Sequence, residues 1–229
     1  MTNPCLIPNG QVIIFNFPAG AGGKMLQNCV GLSKHCVLTK LEYAQWQLKY
    51  TGDFDQDFYQ QKLNWVLATL PTKEEIKYWL GYELGENLLY GINFLGFHKL
   101  VPVPNKEIYQ LADKKLWSTI TVHNFGSTEY YPSYWPTVKH VSLVNNEKFG
   151  RASLSAKNKD LQFDNDWATL GRTPPGVGFE FDIDSTIFDT DKFLDQVEKL
   201  YNYLGFDDFQ RELVQQYYLQ YIKLHDNTL

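Results

Sequence analysis

The sequence has little of what a disulfide-built, membrane-spanning or polyanion-binding chain needs. Three cysteines, Cys5, Cys29 and Cys36, occur in 229 residues. So low and odd a count argues against a disulfide framework and points to a reducing, cytoplasmic compartment. No apolar run approaches the roughly 18 residues of a membrane helix, so no span is expected. Met1–Pro8 has neither a charged start nor a long apolar stretch, so no signal peptide is expected there. Basic residues number 21 against 26 acidic ones. The net charge of −5 argues against nucleic acid as the main partner, while leaving room for a local basic pocket. Internal repeats, low-complexity tracts and linkers are missing too, so one domain over residues 1–229 is expected.

What is present is apolar patterning that changes period along the chain. Gln11–Phe17 (QVIIFNF) is a short β-branched and aromatic run, which predicts a buried strand. A helix is expected from about Lys24, with Leu26, Cys29 and Val30 on one face. Residues 41–70 predict two helical pieces broken near Thr51-Gly52, with Leu63, Val66, Leu67 and Leu70 on an apolar face and Pro71 as the stop. Thr72 and Glu75 form a capping box for a further helix to about Gly91, and Asn105–Trp117 predicts another. Ser118–His123, His140–Asn145 and Phe179–Ile183 predict strands, the last half exposed. A loop dense in Tyr and Trp fills Asn124–Pro136, Asn146–Lys157 predicts a short helix, and Gly171–Gly178 a Pro-Gly loop. Asp191–Leu204 and Asp207–His225 predict two amphipathic helices separated by a C-cap glycine, Gly205. Alternating strands and helices predict a three-layer α/β/α domain with a mostly parallel central sheet.

The strongest chemical signal is Phe17-Pro18-Ala19-Gly20-Ala21-Gly22-Gly23-Lys24-Met25-Leu26, where a strand feeds a glycine turn and then a helix. Such a turn aims several backbone N–H groups at one point, the helix dipole adds partial positive charge, and glycines let the backbone approach an anion. Lys24 adds a full charge where helices disfavour one, which itself suggests a ligand anion. Against the pattern G-x-x-x-x-G-K-[ST], Pro18 replaces the first glycine and Met25 the final hydroxyl. That hydroxyl ligates Mg²⁺ in P-loop nucleotidases, and a thioether does not replace it.

The segment FNFPAGAGGKMLQNCVGLS resembles the phosphosulfate-binding loop of the sulfotransferase family, a branch of the P-loop superfamily. The strand ITVH ending at His123 is similar to the strand that carries that family's general base. HVSLVN, followed by Asn146-Glu147-Lys148-Phe149 and then Ser153, resembles its 3′-phosphate-gripping strand, and the final helices resemble its closing segment. The resemblance covers most of the chain in outline. It implies a metal-free transfer of a sulfuryl group from 3′-phosphoadenosine-5′-phosphosulfate (PAPS) to a hydroxyl or amine of a small molecule or glycan. It further implies catalytic roles for His123 and Lys24, and cofactor contacts from Ala19, Gly20, Ala21, Gly22, Gly23, Lys24, Met25, Asn145, Lys148, Arg151 and Ser153. The family's basic residue before the glycine and its Arg after the second strand are replaced here by alanine and by Asn145.

Alternatives stand beside each assignment. The glycine turn can be purely structural, His123 a backbone-bonded strand end, and Asn145, Lys148, Arg151, Ser153 and Arg172 ordinary loop residues. Tyr130, Tyr131, Tyr134 and Trp135 form either an acceptor wall or a loop folded on the core. Cys29, His35 and Cys36 lack a fourth metal ligand and fit buried structural roles. Asp182, Asp184, Asp189 and Asp191 fit a solvated strand-to-helix turn. A kinase-like P-loop enzyme and a non-catalytic nucleotide-binding protein are the competing readings of the whole.

Overall fold

The computed structural model describes residues 11–16, 22–36, 46–47, 49–70, 117–122, 137–144 and 178–225. Four strands, β1 (Gln11–Asn16), β2 (Trp117–Val122), β3 (Thr137–Val144) and β4 (Phe179–Asp182), form one sheet in the order β2-β1-β3-β4. Every pairing is parallel: Gln11 faces Trp117 and Thr137, Asn16 faces Val122 and Ser142, and Val144 faces Asp182. All four carboxyl ends therefore share one edge of the sheet.

Two described helices lie in the connection from β1 to β2, and three follow β4. They are α1 (Gly23–Gly31), α2 (Gln56–Leu67), α3 (Ile183–Thr186), α4 (Thr190–Leu204) and α5 (Arg211–His225). Register and the two-residue pleat place Ile13, Phe15, Val141, Leu143 and Phe181 on one face, all buried. On that side α1 packs against β1 and β2 and α4 against β4, with α5 touching α1, α2 and α4. His140 and Ser142 point to the opposite face and are also buried. β3 thus has buried residues on both of its faces, as the near-continuous apolar strands of a parallel sheet do. The domain is α/β with a parallel sheet, and no described helix is long and apolar enough to cross a membrane.

Local sequence explains most boundaries. Asp55 caps α2 by accepting from the Phe58 N–H at 3.1 Å, and Asp189 caps α4 by accepting from Lys192 N–H at 3.1 Å. Phe193, Leu194, Val197, Leu200 and Tyr201 form the buried stripe of α4. Gly205 ends that helix at φ 76, and the Phe206 N–H returns to Tyr201 O at 2.9 Å.

Three boundaries differ from the sequence expectation. Trp117 begins β2 instead of ending a helix, because its N–H donates to His35 O at 2.7 Å and it bridges in parallel to Cys36. β3 starts at Thr137, ahead of His140. The last helix starts at Arg211 rather than Asp207, because Asp207 and Asp208 turn back to bond the segment after α1. The expected helices over 72–91, 105–116 and 146–157, and the loops over 124–136 and 171–177, lie outside the described residues.

Candidate functional site

The carboxyl edge holds the glycine turn. β1 stops at Asn16, and the described chain resumes at Gly22, which adopts φ 78 and ψ 10, a left-handed conformation suited to glycine. Gly22 is the N-cap of α1, and its carbonyl accepts from the Leu26 N–H at 3.1 Å. It has no side chain with which to cap the helix, and the first turn carries no acidic residue. The amides of this turn, which no helix satisfies internally, therefore start a positive dipole end without a capping side chain from Gly22. Gly22 and Gly23 are buried, and Lys24 is exposed, its Nζ donating to Gln27 Oε1 at 3.2 Å.

Met25 follows Lys24 in the first turn of α1. Its side chain is fully buried beside Leu26, Cys29 and Val30, because helical spacing turns all four toward the core. Only its backbone amide is left to meet a ligand at this edge.

Helix α1 is fixed from behind. Asn28 Nδ2 donates to Tyr217 Oη at 2.9 Å and to Thr69 Oγ1 at 3.3 Å, and Tyr201 Oη donates to Cys29 O at 2.8 Å. These groups come from α5, the turn after α2 and α4, so three elements set the direction of the helix.

Of the remaining assigned residues, Ala19, Gly20, Ala21, His123, Asn145, Lys148, Arg151 and Ser153, with Arg172 and the Tyr130–Trp135 segment, lie outside the described residues. The strands that lead to two of them are described. β2 ends at Val122, one residue before His123, and β3 at Val144, one residue before Asn145. Both ends lie on the edge where β1 delivers the glycine turn.

The amino edge carries a polar cluster that the sequence reading missed. Asp208, buried, accepts from Ser33 Oγ at 2.7 Å, Lys34 N–H at 2.5 Å and Tyr59 Oη at 3.0 Å. Lys62, fully buried on α2, donates to Ser33 O, to Cys36 O at 2.7 Å and to Gln47 Oε1 at 3.3 Å. Burial lowers the Lys62 ammonium to about 8. Asp207 lies 2.7 Å from His35 Nε2 and 2.9 Å from Lys34 Nζ, and those contacts hold its carboxyl well below the usual range. The signal for Lys62 was its place in the run Tyr59, Lys62, Leu63, Val66, where helical spacing asks for an apolar residue. Asp207 and Asp208 were read as helical, although they follow a C-cap glycine.

The cysteine arrangement is not a metal centre among the described residues. Cys29 and Cys36 lie in the core, where burial raises both thiols, Cys36 to about 12, so neither offers a thiolate near neutrality. His35, Asp207 and Asp208 do bring ligand atoms within 4.8 Å of one another. Both oxygens of Asp208 and Oδ1 of Asp207, however, are already engaged by Ser33, Lys34 and Tyr59. The acidic series is structural: Asp182 caps α3 through Ser185 N–H at 3.1 Å, and Asp191 meets Arg211 at 3.2 Å. His140, on the face away from the described helices, has a buried Nδ1 with no hydrogen-bond partner among the described residues, and burial lowers its affinity for a proton.

Set against models of protein families, curated proteins and solved structures, the chain matches none of them.

Proposed function

We propose that the chain binds a phosphate- or sulfate-bearing nucleotide at the carboxyl edge of its sheet and is a PAPS-dependent sulfotransferase-like enzyme on a three-layer P-loop-type fold. One observation carries the reading: β1 delivers the chain to a left-handed Gly22 that opens α1 with neither a capping side chain nor an acid in the first turn. Such a helix start suits an anion. The sheet order adds support. From β1 the chain moves outward to β2, then returns to β3 on the other side of β1 and on to β4. In open parallel sheets ligands occupy the crevice outside the carboxyl ends where the order reverses, here between β1 and β3. Burial of His140 and Ser142 on the second face agrees with a third layer.

In this reading an acceptor hydroxyl attacks sulfur in line. Its new S–O bond forms as the bond from sulfur to the 5′-phosphate oxygen breaks. His123 takes the hydroxyl proton, and Lys24 with the loop amides stabilises charge on the departing phosphate. Ala19, Gly20, Ala21, Gly22, Gly23 and the Met25 amide form the cradle. Asn145, Lys148, Arg151 and Ser153 hold the 3′-phosphate. With the Met25 side chain in the core and no hydroxyl at that position, the loop has no group with which to position Mg²⁺ in the manner of a nucleotidase.

Thermal unfolding with 3′-phosphoadenosine-5′-phosphate and with ATP, each with and without Mg²⁺, tests the assignment. A nucleotide at about 100 times its dissociation constant should add about 2.7 kcal/mol of stability. Stabilisation by the 3′-phosphorylated nucleotide without Mg²⁺, lost in Lys24→Ala, is expected. Stabilisation by ATP that requires Mg²⁺ would favour kinase-like chemistry instead, and no response to either would remove the nucleotide reading.

A further inference from the structure

The buried ammonium on α2 stands at the far end of the helix that opens at the glycine turn. Lys62 bonds the carbonyl of Ser33, two residues past the end of α1, and that of Cys36 at 2.7 Å. A full positive charge thus lies at the negative end of the α1 dipole, while the positive end begins at Gly22. At about 1.5 Å of rise per residue, the two ends are about 15 Å apart. Every residue of α1 except Lys24 is buried, so the field between the ends crosses protein rather than water. With an effective protein permittivity of about 20, one unit charge at that distance changes the affinity for another by about fivefold.

We propose that occupancy of the α1 amino end by an anionic nucleotide and protonation of Lys62 favour each other, so that nucleotide binding is linked to a proton. The inference rests on the reading of the glycine turn as an anion site. Linkage makes the effect reciprocal: the bound anion strengthens the Lys62 proton as much as the proton strengthens the anion. The groups that face Lys62 are the Cys36 thiol, the Asp208 carboxylate, the Tyr59 hydroxyl bonded to Asp208, and the Phe58 ring at 5.6 Å, with Lys34, His35 and Asp207 at the rim. Cys36 is raised to about 12 and Tyr59 higher still by burial and by Asp208. Of the described groups in the cluster with a resolved shift, Lys62, lowered to about 8, is thus the one that changes charge near pH 8.

Calorimetric titration of wild type with 3′-phosphoadenosine-5′-phosphate near pH 8.5, in two buffers of different ionisation enthalpy, tests this directly. A fractional proton should be taken up per nucleotide bound. Affinity in wild type should fall about fivefold as the pH passes upward through the Lys62 range. Lys62→Met should bind about fivefold more weakly at pH 7.5 with no proton uptake, and Lys62→Arg, which stays charged, should restore affinity without the pH dependence. Wild-type binding with no proton exchange, or the same pH profile in Lys62→Met, would overturn the coupling and leave the anion site standing. No binding by wild type at any pH would overturn both. If Lys62→Met fails to fold, the wild-type proton count decides alone.

Discussion

The two edges of one parallel sheet are built on opposite plans. At the amino edge several polar groups of the Ser33–Cys36 segment meet partners drawn from far along the chain. Asp208 lies about 175 positions from Ser33, yet its oxygens accept from Ser33, Lys34 and Tyr59, and Lys62 serves two carbonyls and an amide. At the carboxyl edge α1 begins on a bare glycine, and the nearest charged side chain, Lys24, is exposed. Buried charge left unsatisfied is expensive, so the amino edge has to be closed by the protein itself. At the carboxyl edge the described start of α1, Gly22 and Gly23, carries no side-chain charge and needs no such closure. The contrast matches the rule that open parallel sheets bind at their carboxyl ends.

The largest effect should come from opening the closed edge. Asp208→Ala removes three hydrogen bonds and a carboxylate near buried Lys62, and should cost about 3–5 kcal/mol in urea unfolding. A change under about 1 kcal/mol would show that the cluster is not the stabilising device described.

The pH dependence sharpens the comparison next. Burial holds Lys62 to about 8 when folded, below the 10.5 ordinary for a lysine. Between those values the unfolded chain binds more protons at this group, so its contribution to stability rises with pH across that window. The stability difference, wild type minus Lys62→Met, should therefore increase from about pH 8 to 10.5, by at most about 1.4 kcal/mol per pH unit. Cys36, raised to about 12, acts in the opposite sense above pH 9, and subtracting the variant cancels it. A flat difference curve would mean that Lys62 titrates as in the unfolded chain.

A smaller structural effect should accompany a larger functional one at the open edge. Gly22→Ala forces a Cβ into the left-handed region and should cost about 1–2 kcal/mol. It should also abolish the nucleotide-induced thermal shift, whereas Gly205→Ala, with φ 76 at the end of α4, should cost about 1 kcal/mol and leave that shift intact. Equal loss of binding in both would assign the effect to general destabilisation. The least effect is expected at Arg211, whose exposed pairs with Asp191 and Asp195 should contribute under about 1 kcal/mol when tested as Arg211→Ala by thermal melting.

The sequence was informative where local rules govern. The apolar run of β1, the glycine start of α1, the stripe of α4 and the C-cap at Gly205 all follow from period and turn chemistry, and each appears in the fold. It was silent where partners are distant. Nothing near Lys62 in the chain announces Ser33 or Cys36, and nothing near Asp208 announces Tyr59. Trp117 shows the same limit: its composition fits a helix end, and pairing with Gln11 of β1 and with the His35–Cys36 segment, both distant in the chain, makes it a strand residue. At the candidate site the turn was legible because glycine and lysine spacing is local chemistry. The direction of Met25 follows from the same helical period.

The bridge between Cys36 and Trp117 also bears on how the molecule avoids its own copies. β2 ends the order of the described strands, and an outermost strand is where a foreign chain adds by pairing. At the first residue of β2 that place is already taken by the protein's own backbone, running parallel, with the Cys36 carbonyl held by Lys62. A strand arriving from another molecule would have to displace a segment secured by a buried charge, so the cluster that closes the amino edge also guards it against templated assembly.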